Sequence, residues 1–141
     1  MNSVGITFGS WDLLHPGHVI LLNTCKDQCD KLYIGLHTDP STQRLSKNRP
    51  IQTSYERYIQ LCGILRSNDE IIPYDTELDV VNMLSILPVT KRFIGSEYYG
   101  TKLTGHDICI ARSIEIVYIS RLHNYSSSEL RNRLAPCKGL R

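Results

Sequence analysis

The feature that most constrains this chain is the regular exchange of short β-rich runs with helix-length segments. Five runs, VGITF (4–8), KLYIGL (31–36), EIIPY (70–74), RFIG (92–95) and IEIVYIS (114–120), are each bounded by turn residues and predict strands. Between them, Gly17 to Gln28, Ser54 to Leu65 and Leu78 to Leu87 carry apolar residues at helical spacing. Thr53 with Glu56 and Ser126 with Glu129 fit capping boxes, and Pro88 closes the third helix. A last helix is predicted over about 127–134. Strands joined by crossover helices give a parallel sheet with right-handed connections. The expectation is a Rossmann-like three-layer α/β fold, with a parallel five-stranded sheet and helices on both faces. No repeat, low-complexity tract or linker divides the chain, so residues 1–141 read as a single domain.

Composition narrows the function classes. A hydrophobic fraction of 41% and a charged fraction of 21% are those of an ordinary globular protein. No apolar run reaches the roughly 18 residues of a membrane span, and no export leader is evident, so a cytoplasmic protein without membrane insertion is expected. The net charge of +2 is too small to imply nucleic-acid binding, although cations gather at Arg44, Lys47 and Arg49 and at Arg121, Arg131 and Arg133. The five cysteines, Cys25, Cys29, Cys62, Cys109 and Cys137, are odd in number and form no C-x-x-C pair, so buried free thiols are expected.

In open parallel sheets ligands bind beyond the carboxyl ends of the strands. The stretch GSWDLLHPGH, Gly9 to His18, occupies that edge after the first strand, with His37-Thr38-Asp39, Gly95-Ser96-Glu97 and Arg121 to Ser128 after later ones. His15 and His18 admit several uses. A dinucleotide fingerprint is missing, because neither G-x-G-x-x-G nor a P-loop occurs. A zinc site would need further ligands, and His37, His106 and His123 are scattered. Two uses stay open: capping or surface histidines on a loop, or a phosphate cradle in which imidazole donors join the free N–H groups of a helix start.

The same stretch resembles the GxFDxxHxGH signature of the cytidylyltransferase-like nucleotidyltransferases, and among them the glycerol-3-phosphate cytidylyltransferases. Arg121-Leu122-His123-Asn124-Tyr125-Ser126-Ser127-Ser128 is similar to the second signature of that group, R-T-x-G-x-S-T-T, with Leu122 to Tyr125 departing from it. The ending Ser126 to Arg131 also resembles the S-S-S-x-x-R of adenylyltransferases of the phosphopantetheine or flavin type. Lys47-Asn48-Arg49-Pro50, Ser54 to Arg57 and Asp69 to Pro73 are similar to intervening family segments, so the likeness spans roughly residues 4–134.

The resemblance implies transfer of a nucleotidyl group from CTP, or from ATP, to a small phosphorylated alcohol, glycerol 3-phosphate first, with release of pyrophosphate. It implies that His15, His18, Lys47 and Arg121 are catalytic. Gly9, Ser10, Trp11, Gly95, Glu97, Ser126, Ser127 and Ser128 would join His15, His18 and Arg121 around the nucleotide. Asp39, Lys47, Arg49 and Arg57 would meet the acceptor, and Asp12 would assist a Mg²⁺ carried mainly by the phosphates. Packing for Trp11, a surface salt bridge for Arg57 or Arg66, and a plain helix cap for Ser126 to Ser128 are the competing uses. A homodimer is expected, from the resemblance and from the apolar segments Tyr33 to Leu36 and Tyr55 to Leu65. A non-catalytic nucleotide-binding protein on the same fold is the alternative from another class.

Overall fold

The computed structural model of the protein describes residues 2–121, 123 and 125–134. The chain runs β1 (Val4–Gly9), α1 (Pro16–Asp27), β2 (Lys31–His37), α2 (Ser54–Cys62), β3 (Glu70–Tyr74), α3 (Glu77–Ile86), β4 (Lys91–Gly95), α4 (His106–Ala111), β5 (Glu115–Ile119) and α5 (Ser127–Leu134). The strands form one parallel sheet in the order β3-β2-β1-β4-β5. Strand order reverses between β1 and β4, so a crevice opens where the segments after these two strands part.

Two apolar layers cover the sheet. One gathers Leu22 and Cys25 of α1, Leu61 of α2 and Ile34 and Phe93 of the sheet. The other gathers Val80 and Leu84 of α3, Cys109 of α4 and Ile6 and Tyr33 of the sheet. β2 therefore buries side chains on both faces, which explains why Tyr33 to Leu36 reads as a continuous apolar run. That segment is core rather than an association surface, whereas Tyr55, Tyr58 and Ile59 of α2 are exposed.

Local chemistry sets the helix ends. Thr53 and Glu56 form the expected capping box, and Thr76 with Asp79 forms another at α3. α3 stops at Ile86 because Leu87, which precedes Pro88, takes an extended backbone. α4 was not expected: it has six residues, its N-cap Gly105 sits at φ 85, and no side chain caps it. Of the cysteines, Cys25, Cys29 and Cys109 are buried free thiols, Cys62 is exposed, and Cys137 lies outside the described residues. Among the described residues no helix is long and apolar enough to cross a membrane.

Candidate active site

The turn after β1 holds an unusual backbone. Trp11 and Leu13 have φ of 56° and 51°, in the left-handed region that costs a non-glycine residue on the order of 1 kcal/mol or more. Neighbouring contacts hold it there. The Trp11 indole is buried beneath the turn, lies against Gly9 and donates to the Gly35 carbonyl at 3.0 Å. The Leu13 N–H donates to Gln52 Oε1 at 2.7 Å. The Asp12 carboxylate accepts from Ile51 N and Gln52 N, both at 2.9 Å, and from Arg131 Nη2 at 2.7 Å.

Asp12 thus fastens the first turn to the segment before α2 and to α5. With 2% exposure and oxygens already accepting three N–H bonds, it does not fit the metal role expected of it. Among the described residues no group of three His, Cys, Asp or Glu side chains fits a metal ion either.

His15 and His18 are capping and cavity residues together. His15 Nδ1 accepts from His18 N at 3.3 Å, and His18 Nδ1 accepts from His15 N at 3.4 Å, a capping box made of two imidazoles. The rings stack with centroids 3.7 Å apart. Since each Nδ1 accepts a backbone N–H, each neutral ring carries its proton on Nε2, so both imidazoles are fixed as Nε2–H donors. Burial, then the charge on the neighbouring His15, lowers the His18 pKa to about 3. Burial, followed by the nearby Arg121, also lowers the His15 pKa. Both rings are neutral donors at neutral pH.

They face a cavity of about 420 Å³, of the size that takes a small molecule. Ser10 and Asp12 of the first turn line it, with Lys47 from the loop after β2 and Gly95 and Glu97 after β4. Arg121 and Ser126 to Ser128 close the other side. Arg121 pairs with Glu97 at 3.1 Å and donates to the Tyr125 carbonyl at 2.6 Å. A Cβ on Gly95 would stand 1.7 Å from Glu97 Oε1, so any larger residue there would move that carboxylate from its place beside Arg121. Ser126 Oγ caps α5 by accepting from Glu129 N at 3.0 Å, and Ser127 Oγ donates to the Asp12 carbonyl at 2.6 Å. The α5 start is therefore both a cap and part of the cavity wall.

Other expected residues lie elsewhere. Arg57 is 2% exposed, and its guanidinium donates to the carbonyls of Ser10, His37, Gln52, Thr53 and Thr38, which commits it to holding strand ends. It is neither a free acceptor ligand nor a surface ion pair. Arg66, beyond α2, pairs with Asp69 instead. Asp39 caps the turn at Pro40–Thr42 through Ser41, and Arg49 is exposed outside the cavity. Leu122 and Asn124 lie outside the described residues, whereas His123 and Tyr125 line the cavity. Arg131 also lines it; it was not among the expected site residues, although the S-S-S-x-x-R ending already pointed to it.

A family model described as Cytidylyltransferase-like matches residues 6–133. The Bifunctional protein HldE of Rhodopseudomonas palustris (strain HaA2) is 34% identical over 130 residues, covering 90% of this chain and 26% of that protein. Its counterpart from Bradyrhizobium diazoefficiens is 31% identical over 133 residues, covering 92% and 26%. The chain thus spans about a quarter of the length of the curated relatives it matches. A lipopolysaccharide core biosynthesis protein from Thermoplasma volcanium superposes with a TM-score of 0.62 at 23% identity, covering 89% of this chain and 100% of that one. Pantothenate synthetase from Thermus thermophilus superposes with a TM-score of 0.61 at 13% identity, covering 93% and 64%, so both share the fold.

Proposed function

The chain belongs to the cytidylyltransferase-like family, and from that premise we propose that it transfers a nucleotidyl group from a nucleoside triphosphate to the phosphate of a small phosphorylated alcohol. An acceptor phosphate oxygen attacks the α-phosphorus, a new phosphoanhydride bond forms, the α–β bond breaks and pyrophosphate leaves. Charge gathers on the phosphate oxygens in the transition state, so donors already in place lower the barrier without a covalent nucleophile.

The observation that carries this reading is the pair of neutral imidazoles whose Nδ1 atoms are held by the backbone, lining one cavity with the start of α5 and Lys47. His15 and His18 donate to the triphosphate from Nε2, Lys47 supplies charge at the reacting phosphates, and Arg121, steadied by Glu97, borders the nucleoside. The three N–H donors already on the Asp12 carboxylate support a Mg²⁺ carried mainly by the nucleotide phosphates. A homodimer through the exposed Tyr55, Tyr58 and Ile59 of α2 is a further proposal, checked by light scattering.

CTP with glycerol 3-phosphate is the first pair to try, from the sequence resemblance. ATP is the second reading, and the place of Arg131 on the cavity wall favours it, because that arginine completes the S-S-S-x-x-R ending. The test is pyrophosphate release from CTP and from ATP with a panel of phosphorylated alcohols and sugars. Turnover with one pair supports the proposal and names the base. Tight nucleotide binding without pyrophosphate release from any pair would favour a non-catalytic nucleotide-binding protein.

A further inference from the structure

A second cavity, of about 250 Å³, adjoins the first on the α3 side of the sheet. The two share Ser10, Leu21, Pro40, Lys47, Gly95 and Glu97, so they join at the strand ends. Phe8, Tyr74, Arg92 and Thr104 are among the residues that line the second cavity and not the first.

Its charges do not balance. At its edge Glu77 is paired with Arg44 at 2.6 Å, and Glu97 with Arg121 at 3.1 Å. Among the described residues neither Lys47 nor Arg92 has a carboxylate within ion-pair distance. Arg92 is 6% exposed; its Nη1 donates to the Thr104 carbonyl at 2.5 Å, its guanidinium lies 5.2 Å from the Phe8 ring centre, and among the described residues its Nε has no partner. The residue belongs to β4 and faces the layer that holds Ile6, Val80 and Leu84, where an aliphatic side chain would pack without the desolvation penalty of a cation. A buried cation with an orphaned donor carries a desolvation cost there that its own contacts do not offset.

We propose that Arg92 determines acceptor specificity, and that the acceptor is a phosphorylated alcohol bearing a second anionic group, carboxylate or phosphate, at the end away from its reacting phosphate. This rests on the nucleotidyl-transfer reading above. Lys47, common to both cavities, meets the reacting phosphate, and Arg92 meets the second anion. The volume suits an acceptor of a few carbons.

The experiment is isothermal titration of the intact chain, without nucleotide, with glycerol 3-phosphate and 3-phosphoglycerate, which differ by a hydroxymethyl group against a carboxylate. Glycerol 1,3-bisphosphate is the phosphate arm. Roughly tenfold tighter binding of 3-phosphoglycerate or the bisphosphate than of glycerol 3-phosphate is expected, and the stronger of the two identifies the anion. In Arg92→Gln the preference should shrink to within about twofold, and Arg92→Lys should keep part of it. Equal affinity of the native chain for all three probes, or an undiminished preference in Arg92→Gln, would overturn the proposal. If Arg92→Gln does not fold, the native comparison and Arg92→Lys still decide. Pyrophosphate release is measured separately: an Arg92-dependent preference without turnover on any nucleotide removes the nucleotidyl-transfer reading and leaves an anion site at Arg92.

Discussion

Arg131 Nη2 donates to Asp12 Oδ2 at 2.7 Å, tying the last helix to the turn after the first strand across 119 positions of sequence. The pair is lopsided, since the arginine side chain is 24% exposed and the aspartate 2%. Asp12→Ala strands the Ile51 and Gln52 amides as well as Arg131, and breaking a buried pair from its inner side costs about 3–5 kcal/mol. Arg131→Ala leaves both amides bonded and should cost clearly less. Urea unfolding of the two variants checks the order, and equal losses would mean that Asp12 matters only through Arg131.

The two roles of His15 can be separated. Asparagine is a good N-cap and keeps an acceptor for the His18 amide, but its short side chain does not supply the imidazole Nε2–H donor. His15→Asn should therefore melt close to the native chain while turnover falls by roughly 10²- to 10³-fold, the scale of one lost transition-state donor. His15→Ala should lose similar activity and also about 1 kcal/mol of stability through the missing cap. Pyrophosphate release read beside thermal melting separates them, and full activity in His15→Asn would reduce the histidine to a cap.

Acid should act on stability in a defined window. His18 takes its proton near 6.5 when unfolded but only near 3 when folded. Between those values the unfolded chain binds more protons, so this group's contribution to stability is fully present above about 6.5 and is lost as pH falls toward 3. His15 and His37, both lowered chiefly by burial, add in the same sense. His18→Gln should accordingly show a shallower loss of stability between about pH 6.5 and 4.5 than the native chain, measured by urea midpoints. Parallel curves would place the His18 ring in water rather than in the packed turn.

The framework was legible because strand and helix periods and capping boxes are local signals. EIIPY matched β3 and the span 127–134 matched α5 to the residue. The cavity lining was legible for a related reason, since His15, His18, Lys47, Arg121 and Ser126 to Ser128 sit on segments that follow the strands or on the first turn of the next helix. What escaped was long-range. Whether an arginine on a helix reaches solvent or the carbonyls at strand ends 19 to 47 positions away depends on tertiary packing, so Arg57 looked like a ligand. Asp12 looked like a metal ligand because nothing local announces that two amides some 40 positions on will occupy it. Arg92 gave no signal at all, since its strand context marks it only as one polar residue in a short run.

Gly17 lies between the two histidines in the first turn of α1, where alanine would ordinarily stabilise a helix by about 1 kcal/mol. Space argues the other way. A Cβ at Gly17 would stand 2.8 Å from His15 Cε1, 2.9 Å from His15 Nδ1 and 2.7 Å from His123 Cε1. The His15 ring cannot swing aside freely, because its Nδ1 accepts the His18 amide and its face stacks on His18. His123 is held as well, its Nδ1 accepting the Tyr125 amide at 3.2 Å, so neither ring gives way without losing a hydrogen bond. Gly17→Ala should therefore change stability by little, with helix propensity gained and cap geometry lost, while displacing the His15 Nε2–H donor. A shift of about 1 Å in a positioned group can cost on the order of 10²-fold in rate. The expected outcome is a melting temperature near the native value with turnover reduced by about that factor. Unchanged turnover in Gly17→Ala would show that the His15 ring is free to yield, which contradicts the fixed-donor geometry on which the proposed function stands.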